Sequence, residues 1–409
     1  MILGAGEFQI PIIKEVQRQG FRAVVVSSPG NYPGFVTADQ CYEIDVRDKD
    51  AVLVAARNSS ICGILTDQTD VAVPTVAYVA EQLGLPGIGY ECALKFTDKF
   101  LMRQAALQLG IPVPHFFEAS DILSAEREAR TLRYPLIVKP VNSQGSRGVA
   151  LVSDSCELAA KVKFAQSFSS EHRVIIEEFF EGLEVVIEGF ASNFGFLNIA
   201  VGDRSYFDLP GVFIPRSTVF PSTLPPELVA TLLEYNQRLI CGLKPRFGIT
   251  HTEFLINTRS GDIRLVETAI RGGGVFISSD LVPLASGIDV GKLLVQHATG
   301  KKDGTAINGN MKTMIQKAAG YHCFCLPQGV ITHVSGVEAV KAIHGVRRAV
   351  LERLQVGFVL PALSDKTGRL GPIIITGNDL SECEQTLCRV RRTLHIEVQT
   401  ERGLETIRW

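Results

Sequence analysis

The sequence lacks the usual features of a membrane or secreted protein. No run approaches the roughly twenty consecutive apolar residues with which a helix crosses a bilayer. Met1 leads directly into a predicted strand without a basic leader. The nine cysteines are odd in number and scattered, so neither a disulfide framework nor a zinc-ribbon spacing is present. These absences predict a protein of the reducing cytoplasm.

The chain also has little net charge. Its 41 Lys and Arg residues nearly balance its 43 Asp and Glu residues, so the protein as a whole has no field that attracts nucleic acid or anionic membranes. The densest basic cluster, Arg389-Val-Arg391-Arg392, is typical of an exposed helix face. We therefore expect neither a nucleic-acid partner nor a membrane partner.

The 409 residues are too many for one modest core, and two to four domains are expected. In residues 1–95, short apolar runs alternate with helical patterns such as Pro11 to Gln19 and Val73 to Leu83. This order predicts an α/β domain with a parallel sheet. Thr66 to Asp70 follows a strand, where sheets of this kind bind ligands, so we expect it to border a crevice.

Later patterns predict an α+β part and a β-rich end. A helical segment from about Lys95 to Leu109 precedes Ile111-Pro112-Val113-Pro114, whose prolines mark a domain change. Residues 119–191 then show two helical patterns and four strands, the last strand being Glu184 to Phe190. Residues 301–409 contain short strands with Gly/Pro turns, and we expect them to pack over the functional site.

Two glutamates on neighbouring strands give the most specific prediction. Glu253 and Glu267 flank Asn257 to Asp262, which is typical of a β-hairpin. A three-residue loop, Arg259-Ser260-Gly261, would place the two carboxylates directly opposite each other. Opposed like charges repel unless a cation lies between them or one carboxyl is protonated. Oxygen ligands without cysteine favour Mg²⁺ together with phosphates. Two glutamates on a solvated sheet face are the alternative.

A glycine-bearing loop and the lysine before it form a second candidate site. The loop Ser143 to Gly148 joins two strands and can present consecutive backbone N–H groups to an anion. It is not a P-loop, because Gly-Lys-Ser/Thr and a following helix are missing. Lys139 is the only charge in the apolar strand before the loop, and a buried lysine needs an anionic partner. A phosphate, or a carboxylate such as Glu178, would supply that partner.

The segment Ile175 to Glu184 places acidic side chains beside aromatic ones. A pocket for adenine needs an apolar slot with a few placed polar groups, and a ribose needs an acceptor for its hydroxyls. Backbone amides, Phe179 and the acidic side chains of this segment can supply all of them. Taken alone, an acidic strand-turn-strand is usually only surface.

The order of these motifs along the chain resembles the ATP-grasp superfamily of carboxylate–amine ligases. The motifs are Asp98-Lys99, Val138-Lys139-Pro140, Ser143 to Gly148, Glu177-Glu178-Phe179, Gly182, Glu184, His251-Thr252-Glu253, Glu267 and Arg271-Gly-Gly-Gly274. Within the superfamily, the chain looks most like the L-amino-acid ligase and carbamoyl-phosphate-synthase-like branch. The resemblance implies an N-terminal parallel-sheet domain (1–95), an ATP-grasp domain (96–300) with a small α+β lid subdomain (about 119–191), and a β-rich C-terminal domain (301–409).

The resemblance implies that the chain binds ATP and Mg²⁺, with Mn²⁺ as an alternative metal. Lys99 and Lys139 would contact the phosphates, and Ser146 would close over them. Glu177 and the backbone at Phe179 would hold adenine with Glu178 beside them, Glu184 would bind the ribose, and Leu255 would form part of the purine floor. Glu253 and Glu267 would ligate Mg²⁺. Many members carry an asparagine where this sequence has Ala269, which leaves the number of metal ions open.

The family reaction begins when a carboxylate attacks the γ-phosphate of ATP, and an amine then attacks the resulting acyl phosphate. Arg271 shares a strand face with Glu267 by the two-residue period and would stabilise the transferred phosphoryl group. Its alternative role is only to neutralise the glutamates. His251 shares a face with Glu253 and would orient a substrate, or else support Glu253 from behind.

The resemblance therefore predicts an ATP- and Mg²⁺-dependent ligase that joins a small carboxylate, for example an amino acid, to an amine and releases ADP and phosphate. A purine-biosynthesis or biotin-carboxylase-like enzyme is the first alternative. An inactive ATP-binding regulatory module is the second, although intact Lys99, Lys139 and Arg271 argue against it. The expected partners are small-molecule substrates, and the expected assembly is a homodimer.

Overall fold

The computed structural model describes residues 1–209, 213–301, 317–363 and 366–409. The strands in these ranges form one parallel sheet of three strands, one sheet of eight strands and two sheets of four strands. No helix within the described ranges is long and apolar enough to span a bilayer. The combination of a parallel N-terminal sheet, antiparallel central sheets and a β-rich end is the predicted fold class.

The N-terminal part is the parallel sheet with helices on both sides. Its elements are β1 (Ile2–Leu3), α1 (Ile10–Arg18), β2 (Val24–Ser27), α2 (Pro33–Thr37), β3 (Gln40–Glu43), α3 (Lys49–Asn58), α4 (Val73–Leu83) and α5 (Tyr90–Thr97). Val25 of β2 packs with α1, whereas its neighbours Val24 and Val26 pack with α3 and α4 on the opposite face. Both faces are apolar because both are covered, as is usual for parallel sheets.

The predicted continuous helix from Lys95 to Leu109 is wrong, because Asp98 interrupts it. The backbone of Asp98 is extended, with φ −97° and ψ 114°, and its carboxylate accepts hydrogen bonds from the N–H groups of Phe100 and Leu101 at 2.8 and 3.0 Å. Asp98 therefore caps a new helix, α6 (Lys99–Gln108). Lys99 becomes the first residue of that helix, and its N–H donates to the carbonyl of Val141 at 2.9 Å.

A four-stranded antiparallel sheet and two helices form a small subdomain, residues 116–178, called the lid below. Its elements are β4 (Phe116–Ala119), α7 (Ile122–Ala129), β5 (Leu136–Pro140), β6 (Ala150–Val152), α8 (Ser155–Gln166) and β7 (Val174–Glu178). The strand order is β4-β7-β5-β6. Two helices and four strands were predicted for this part. Three of those strands are β5, β6 and β7, and the remaining strand of the lid sheet is β4, which precedes them in sequence. The predicted strand Glu184 to Phe190 instead lies in the eight-stranded sheet, where both of its faces are buried.

The eight-stranded sheet is the centre of the molecule. Its first strands and the nearby helices are β8 (Leu183–Ser192), β9 (Gly195–Tyr206), β10 (Pro215–Phe220), α9 (Pro226–Leu243), β11 (Gly248–Ile256), β12 (Ile263–Ala269), α10 (Val282–Ser286) and α11 (Val290–Ala298). Along β8, Val185 and Ile187 pack with α9, whereas Val186 packs with α11 and the N-terminal domain. The sheet therefore separates two cores and holds the N-terminal domain on one of its faces.

The C-terminal part continues this sheet and adds another. Its elements are β13 (Ala318–Phe324), β14 (Gly329–Ser335), α12 (Val337–Lys341), β15 (Val346–Ala349), β16 (Val359–Leu360), β17 (Leu370–Gly377), α13 (Leu380–Thr393), β18 (His395–Thr400) and β19 (Gly403–Thr406). The large sheet has the order β12-β11-β8-β9-β10-β13-β17-β15, and the second has the order β16-β14-β18-β19. The large sheet thus extends across the domain boundary proposed near residue 300.

Candidate active site

The two glutamates of the hairpin are paired across β11 and β12, as predicted. The predicted three-residue loop is wrong, however, because Ile256 pairs with Ile263 and the N–H of Asn257 donates to Asp262. The register then shifts by one residue between Phe254 and Glu253, where Val266 forms a β-bulge. These two one-residue differences cancel, so Glu253 and Glu267 still lie directly opposite each other.

Each of the two carboxylates contacts its own cation. Glu253 accepts hydrogen bonds from Arg204 and from Nε2 of His251, the latter at 3.0 Å. Glu267 accepts from Nζ of Lys99 at 2.9 Å. Burial raises the pKa of Glu253, but Arg204 and His251 outweigh it and hold that pKa well below its usual range. The negative charges of Glu253 and Glu267 are therefore both compensated. The described ranges contain no cluster of three His, Cys, Asp or Glu residues suited to a metal.

Arg204 of β9 is a central residue of the site that was not predicted from the sequence. Its Nη1 lies 2.7 Å from Glu184 and also contacts Glu253, while its Nη2 lies 3.2 Å from His251. The hydroxyl of Tyr206 donates to the second oxygen of Glu184. Burial and the charge of Glu253 raise the pKa of Glu184. The only signal in the sequence was the spacing of Arg204 and Tyr206, which places both side chains on the same face of a strand.

His251 is buried and supports Glu253 from the side. Its Nδ1 contacts the buried carboxylate of Glu188, and its Nε2 contacts Glu253 and Arg204. Burial lowers the pKa of His251, but Glu188 and Glu253 outweigh it, so the pKa is raised. Because both ring nitrogens are engaged by protein groups, this arrangement favours the supporting role over contact with a substrate.

A first cavity of about 430 Å³ lies between the lid and the large sheet. Ile137, Leu209, Phe213 and Leu265 give it an apolar part. Every residue predicted to bind nucleotide or metal lines it: Lys99, Lys139, Ser146, Glu177, Glu178, Phe179, Glu184, Glu253, Leu255 and Glu267.

Glu177 is part of a buried ion cluster rather than a free side chain. One oxygen lies 2.5 Å from Nε of Arg103, and the other contacts Nζ of Lys139. Burial raises the pKa of Glu177, but the two cations outweigh it and lower the pKa to about 2. Burial lowers the pKa of Lys139 and the positive charge of Arg103 lowers it further, although Glu177 raises it. The anionic protein partner of Lys139 is therefore Glu177 and not Glu178, which accepts from the N–H of Arg133.

The predicted adenine contact at Phe179 also needs revision. The N–H of Phe179 donates to the carbonyl of Pro135 at 3.0 Å, so it is not free for a ligand. This bond and the cluster at Glu177 hold the end of β7 against β5. The side chain of Phe179 still lines the first cavity, where its ring lies 6.5 Å from that of Phe213.

The glycine loop, Asn142 to Gly148, bends over the first cavity. Gly145, Ser146 and Gly148 all have left-handed backbones, with φ of 72°, 61° and 76°. A Cβ at Gly148 would lie 2.7 Å from Pro140 and 3.0 Å from Phe168, so only glycine fits there. Nζ of Lys99 donates to the carbonyl of Ser143 at 2.8 Å. The loop is thereby held beside the lysine predicted to bind phosphate.

A second cavity of about 530 Å³ adjoins the first. Five residues line both cavities, Gly145 and Arg147 of the glycine loop and the charged residues Arg204, Glu253 and Lys366. The last three are called the common wall below. Burial lowers the pKa of Lys366 to about 8, although Glu253 raises it. Lys366 and Arg369 come from the C-terminal part, which packs over the site as expected, although neither residue was predicted to lie there.

Arg271 lines the second cavity. It lies beyond the end of β12, so it is not on the strand face that it was predicted to share with Glu267. Its Nε lies 2.8 Å from Oδ1 of Asp70, and its Nη2 donates to Oδ2 at 2.9 Å. The Thr66 to Asp70 segment therefore borders the crevice, as predicted. Asp67 of that segment accepts from the N–H of Gly272 at 3.0 Å. A Cβ at Gly272 would lie 2.4 Å from Oδ1 of Asp67, so the close approach requires glycine.

Two family models match the chain. The model described as an ATP-grasp domain matches residues 132–279, and the model described as L-amino acid ligase C-terminal domain 2 matches residues 322–399. The chain therefore contains an ATP-grasp domain. The ATP-grasp match contains the glycine loop, the carboxylate hairpin and Arg271, which lie at the two cavities.

Solved structures share the ATP-grasp protein's fold over nearly its whole length. An L-amino acid ligase from Bacillus licheniformis is 24% identical with a TM-score of 0.81, over 98% of each chain. The biotin carboxylase domain of the Hydrogenobacter thermophilus 2-oxoglutarate carboxylase, solved with MgADP, ADP and bicarbonate, is 15% identical with a TM-score of 0.76, over 99% of this chain and 91% of that one.

A curated relative matches two thirds of the ATP-grasp protein. The C-terminal section of the carbamoyl phosphate synthase large chain from Methanopyrus kandleri is 27% identical over 285 residues, which is 66% of this chain and 51% of the relative. The chain thus spans about half the length of this relative.

Proposed function

We propose that this ATP-grasp protein is an ATP- and Mg²⁺-dependent ligase that activates a small carboxylate as an acyl phosphate and joins it to an amine. The observation that carries the proposal is the common wall of the two cavities, formed by Arg204, Glu253 and Lys366. A nucleotide in the first cavity and a carboxylate in the second would meet at this wall. An inactive nucleotide-binding module would not need a second cavity at that place.

The first cavity suits a nucleotide in size and in the placement of charge. Its volume of about 430 Å³ falls in the range of small-molecule sites. In one part of the cavity, Lys99 and Lys139 provide cations for the phosphates. In another part, Leu255 and Phe213 provide apolar surface for the base. The N–H of Phe180, for which the described residues provide no acceptor, replaces that of Phe179 as the proposed donor to adenine.

Glu184 remains the proposed ribose-binding residue. Its oxygens already accept from Arg204 and Tyr206. A carboxylate has about four lone-pair positions, so Glu184 can also accept from a ribose hydroxyl. Glu178 would lie beside the base, and Ser146 of the glycine loop would close over the phosphates.

The opposed pair Glu253 and Glu267 fits Mg²⁺, with Mn²⁺ as the alternative. Both are hard oxygen donors at the edge of the cationic part of the first cavity, and Ala269 adds no ligand atom. When bound, Mg²⁺ would neutralise charge on the phosphates. Lys99 and Arg204 already hold the two carboxylates in place. His251 and Glu188 keep Glu253 in its position.

In the reaction, cations of the second cavity and of the common wall would stabilise negative charge. Arg271 would stabilise the acyl substrate's carboxylate and the transferred phosphoryl group, and Asp70 fixes the orientation of its guanidinium. Lys366, from the C-terminal part, would contribute a second positive charge at the common wall. Apolar residues such as Leu351 and Leu354 would exclude water from the acyl phosphate.

The second cavity supports an amino acid as the carboxylate substrate. It combines the cations Arg147 and Arg369 with apolar residues such as Phe8, Val275 and Ile277. This lining would bind a carboxylate that carries an apolar side chain. The match to the L-amino acid ligase C-terminal model supports the same class.

A coupled assay of ADP release with pools of amino acids and amines tests the proposal. We expect ADP release that requires Mg²⁺, a carboxylate and an amine, with an amide product found by mass spectrometry. ADP release with bicarbonate or formate, and not with amino acids, would transfer the assignment to the biotin-carboxylase-like or purine-biosynthesis class. ATP binding without ADP release from any pool would favour a regulatory module. Cytoplasmic location and a homodimer stay predictions, and light scattering tests the latter.

A further inference from the structure

Gln144 connects the glycine loop of the lid to the N-terminal domain. Its side-chain oxygen accepts a hydrogen bond from the backbone N–H of Asp70 at 2.7 Å, across 74 residues of sequence. Its Nε2 lies 3.4 Å from Oγ1 of Thr69, which is a weaker contact. The neighbouring Ser143 instead contacts Lys99, so the loop touches both the lysine predicted to bind phosphate and the N-terminal domain.

The N–H of Asp70 needs an external partner. Asp70 begins the short 3₁₀ turn Asp70–Ala72 that leads into α4, and the first N–H groups of a helix have no partner within it. The side chain of Thr69, the residue before the turn, makes no capping hydrogen bond. The amide of Gln144 therefore supplies, from another domain, the acceptor that a capping residue usually provides.

Asp70 links this contact to Arg271. Its N–H donates to Gln144, and its carboxylate binds the guanidinium of Arg271. All three residues line the second cavity. A movement of the glycine loop therefore changes both the wall of this cavity and the segment that fixes Arg271.

We propose that Gln144 is a positioning residue that ties closure of the glycine loop to Arg271 and seals the second cavity against water. Its chemical consequence rests on the proposed ligase function, whereas the contact itself does not. In the sealed site, an amine attacks the acyl carbon, the bond from that carbon to the phosphate oxygen breaks, and phosphate leaves as the amide forms and the amine loses a proton. In an open site, water attacks the same carbon, and the carboxylate is regenerated without amide.

Three variants separate this role from a general effect of the loop. Gln144→Ala removes the acceptor. Gln144→Glu keeps an acceptor for the N–H of Asp70 but cannot donate to Thr69. Asn142→Ala is the matched control, because Asn142 lies in the same loop but donates to Ser170 within the lid at 2.9 Å. Thermal unfolding of each variant shows whether its fold is intact.

The first measurement is amide hydrogen exchange at Asp70, resolved to the residue, with Mg²⁺ and a nonhydrolysable ATP analogue present. One lost hydrogen bond corresponds to about five- to tenfold faster exchange at this amide in Gln144→Ala. We expect Gln144→Glu to restore slow exchange and Asn142→Ala to leave it unchanged. Equal exchange at Asp70 in Gln144→Ala and the unaltered protein would overturn the contact and the proposal.

The second measurement is the ratio of ADP to amide product. We expect a ratio near one in the unaltered enzyme, because each ATP then yields one amide, and a higher ratio in Gln144→Ala with an unchanged KM for ATP. Faster exchange at Asp70 without a change in this ratio would overturn the sealing role. If the ligase function itself is wrong, the unaltered enzyme forms no amide, whereas the exchange result still decides whether the contact exists.

Discussion

The buried guanidinium of Arg103 contacts Glu177 at 2.5 Å and thereby joins helix α6 to the lid. Its Nη2 also donates to the carbonyl of Val266 at 2.8 Å. Val266 is the bulge residue that places Glu267 opposite Glu253. One side chain therefore connects the lid strand beside Lys139 to the strand that carries a predicted metal ligand.

We expect Glu177→Gln to lower stability in a way that depends on pH. The folded state lowers the pKa of Glu177 from 4.5 to about 2. Its contribution is therefore complete above about pH 4.5 and is lost as the pH falls toward 2. Removal of the carboxylate leaves Arg103 and Lys139 uncompensated, which costs about 3 to 5 kcal/mol for a buried pair.

Urea midpoints of both proteins measured at pH 7 and pH 3 check this expectation. The difference between the variant and the unaltered protein should be larger at pH 7. Glu126→Gln, an exposed position on α7, is the control and should shift neither midpoint. A variant difference that is the same at both pH values would contradict the assigned ion cluster.

We expect Glu253→Gln and Glu267→Gln to abolish most activity without unfolding the protein. Each loses one charge at the proposed metal pair, and loss of such electrostatic stabilisation lowers kcat by about 100-fold or more. The measurement is ADP release during a titration with Mg²⁺, in which both variants should need more metal. Glu234→Gln, an exposed partner of Arg238 on α9, should behave like the unaltered enzyme. An unchanged Mg²⁺ dependence in both variants would exclude the pair as the metal site.

Arg271→Lys should lower kcat while leaving the KM for ATP unchanged. A lysine keeps the charge but not the two-point contact with Asp70, so about a 10- to 100-fold loss is expected. Steady-state kinetics with varied ATP and varied carboxylate check the split between the two parameters. Arg238→Lys on the exposed face of α9 is the control. A rise only in the KM for ATP would place Arg271 at the nucleotide instead.

Leu255→Ala should weaken ATP binding with little effect on kcat. Leu255 lines the apolar part of the first cavity, where we place the base, so its loss removes contact with the bound nucleotide only. Removing several buried methyl groups costs about 1 to 3 kcal/mol, or roughly a 10- to 100-fold rise in the KM for ATP. Leu404→Ala, at an exposed C-terminal position, should leave the KM unchanged. Equal ATP affinity in Leu255→Ala would remove this residue from the purine floor.

Local signals carried most of the successful predictions. Glu253 and Glu267 are close in sequence, so turn and strand rules predicted the hairpin that joins their strands. The predicted loop was nevertheless one residue short, and the two glutamates are opposed only because the bulge at Val266 compensates for it. That bulge was not predicted, because the carbonyl of Val266 accepts from Arg103, which lies outside the hairpin. The parallel N-terminal sheet was predicted for the same local reason, since its strands and helices alternate along the chain.

Partners from distant strands were the main failures. Arg204 of β9 reaches Glu253 of β11 across the intervening strand β8, and Lys366 lines the same cavities from the C-terminal part. The contact of Glu177 with Arg103 was not predicted, because Arg103 lies on α6, 74 residues away in sequence. Pairing between separated charges depends on tertiary packing, and residue spacing carries little information about it.

The continuation of the eight-stranded sheet through β13 has a consequence for dissecting the protein. Cutting the chain near residue 300 would strip β10 of its neighbour and leave an unpaired row of backbone donors and acceptors. Such open edges recruit other chains, so the truncated product would aggregate instead of behaving as an independent module. Studies of the nucleotide-binding half should therefore retain the strands that follow it.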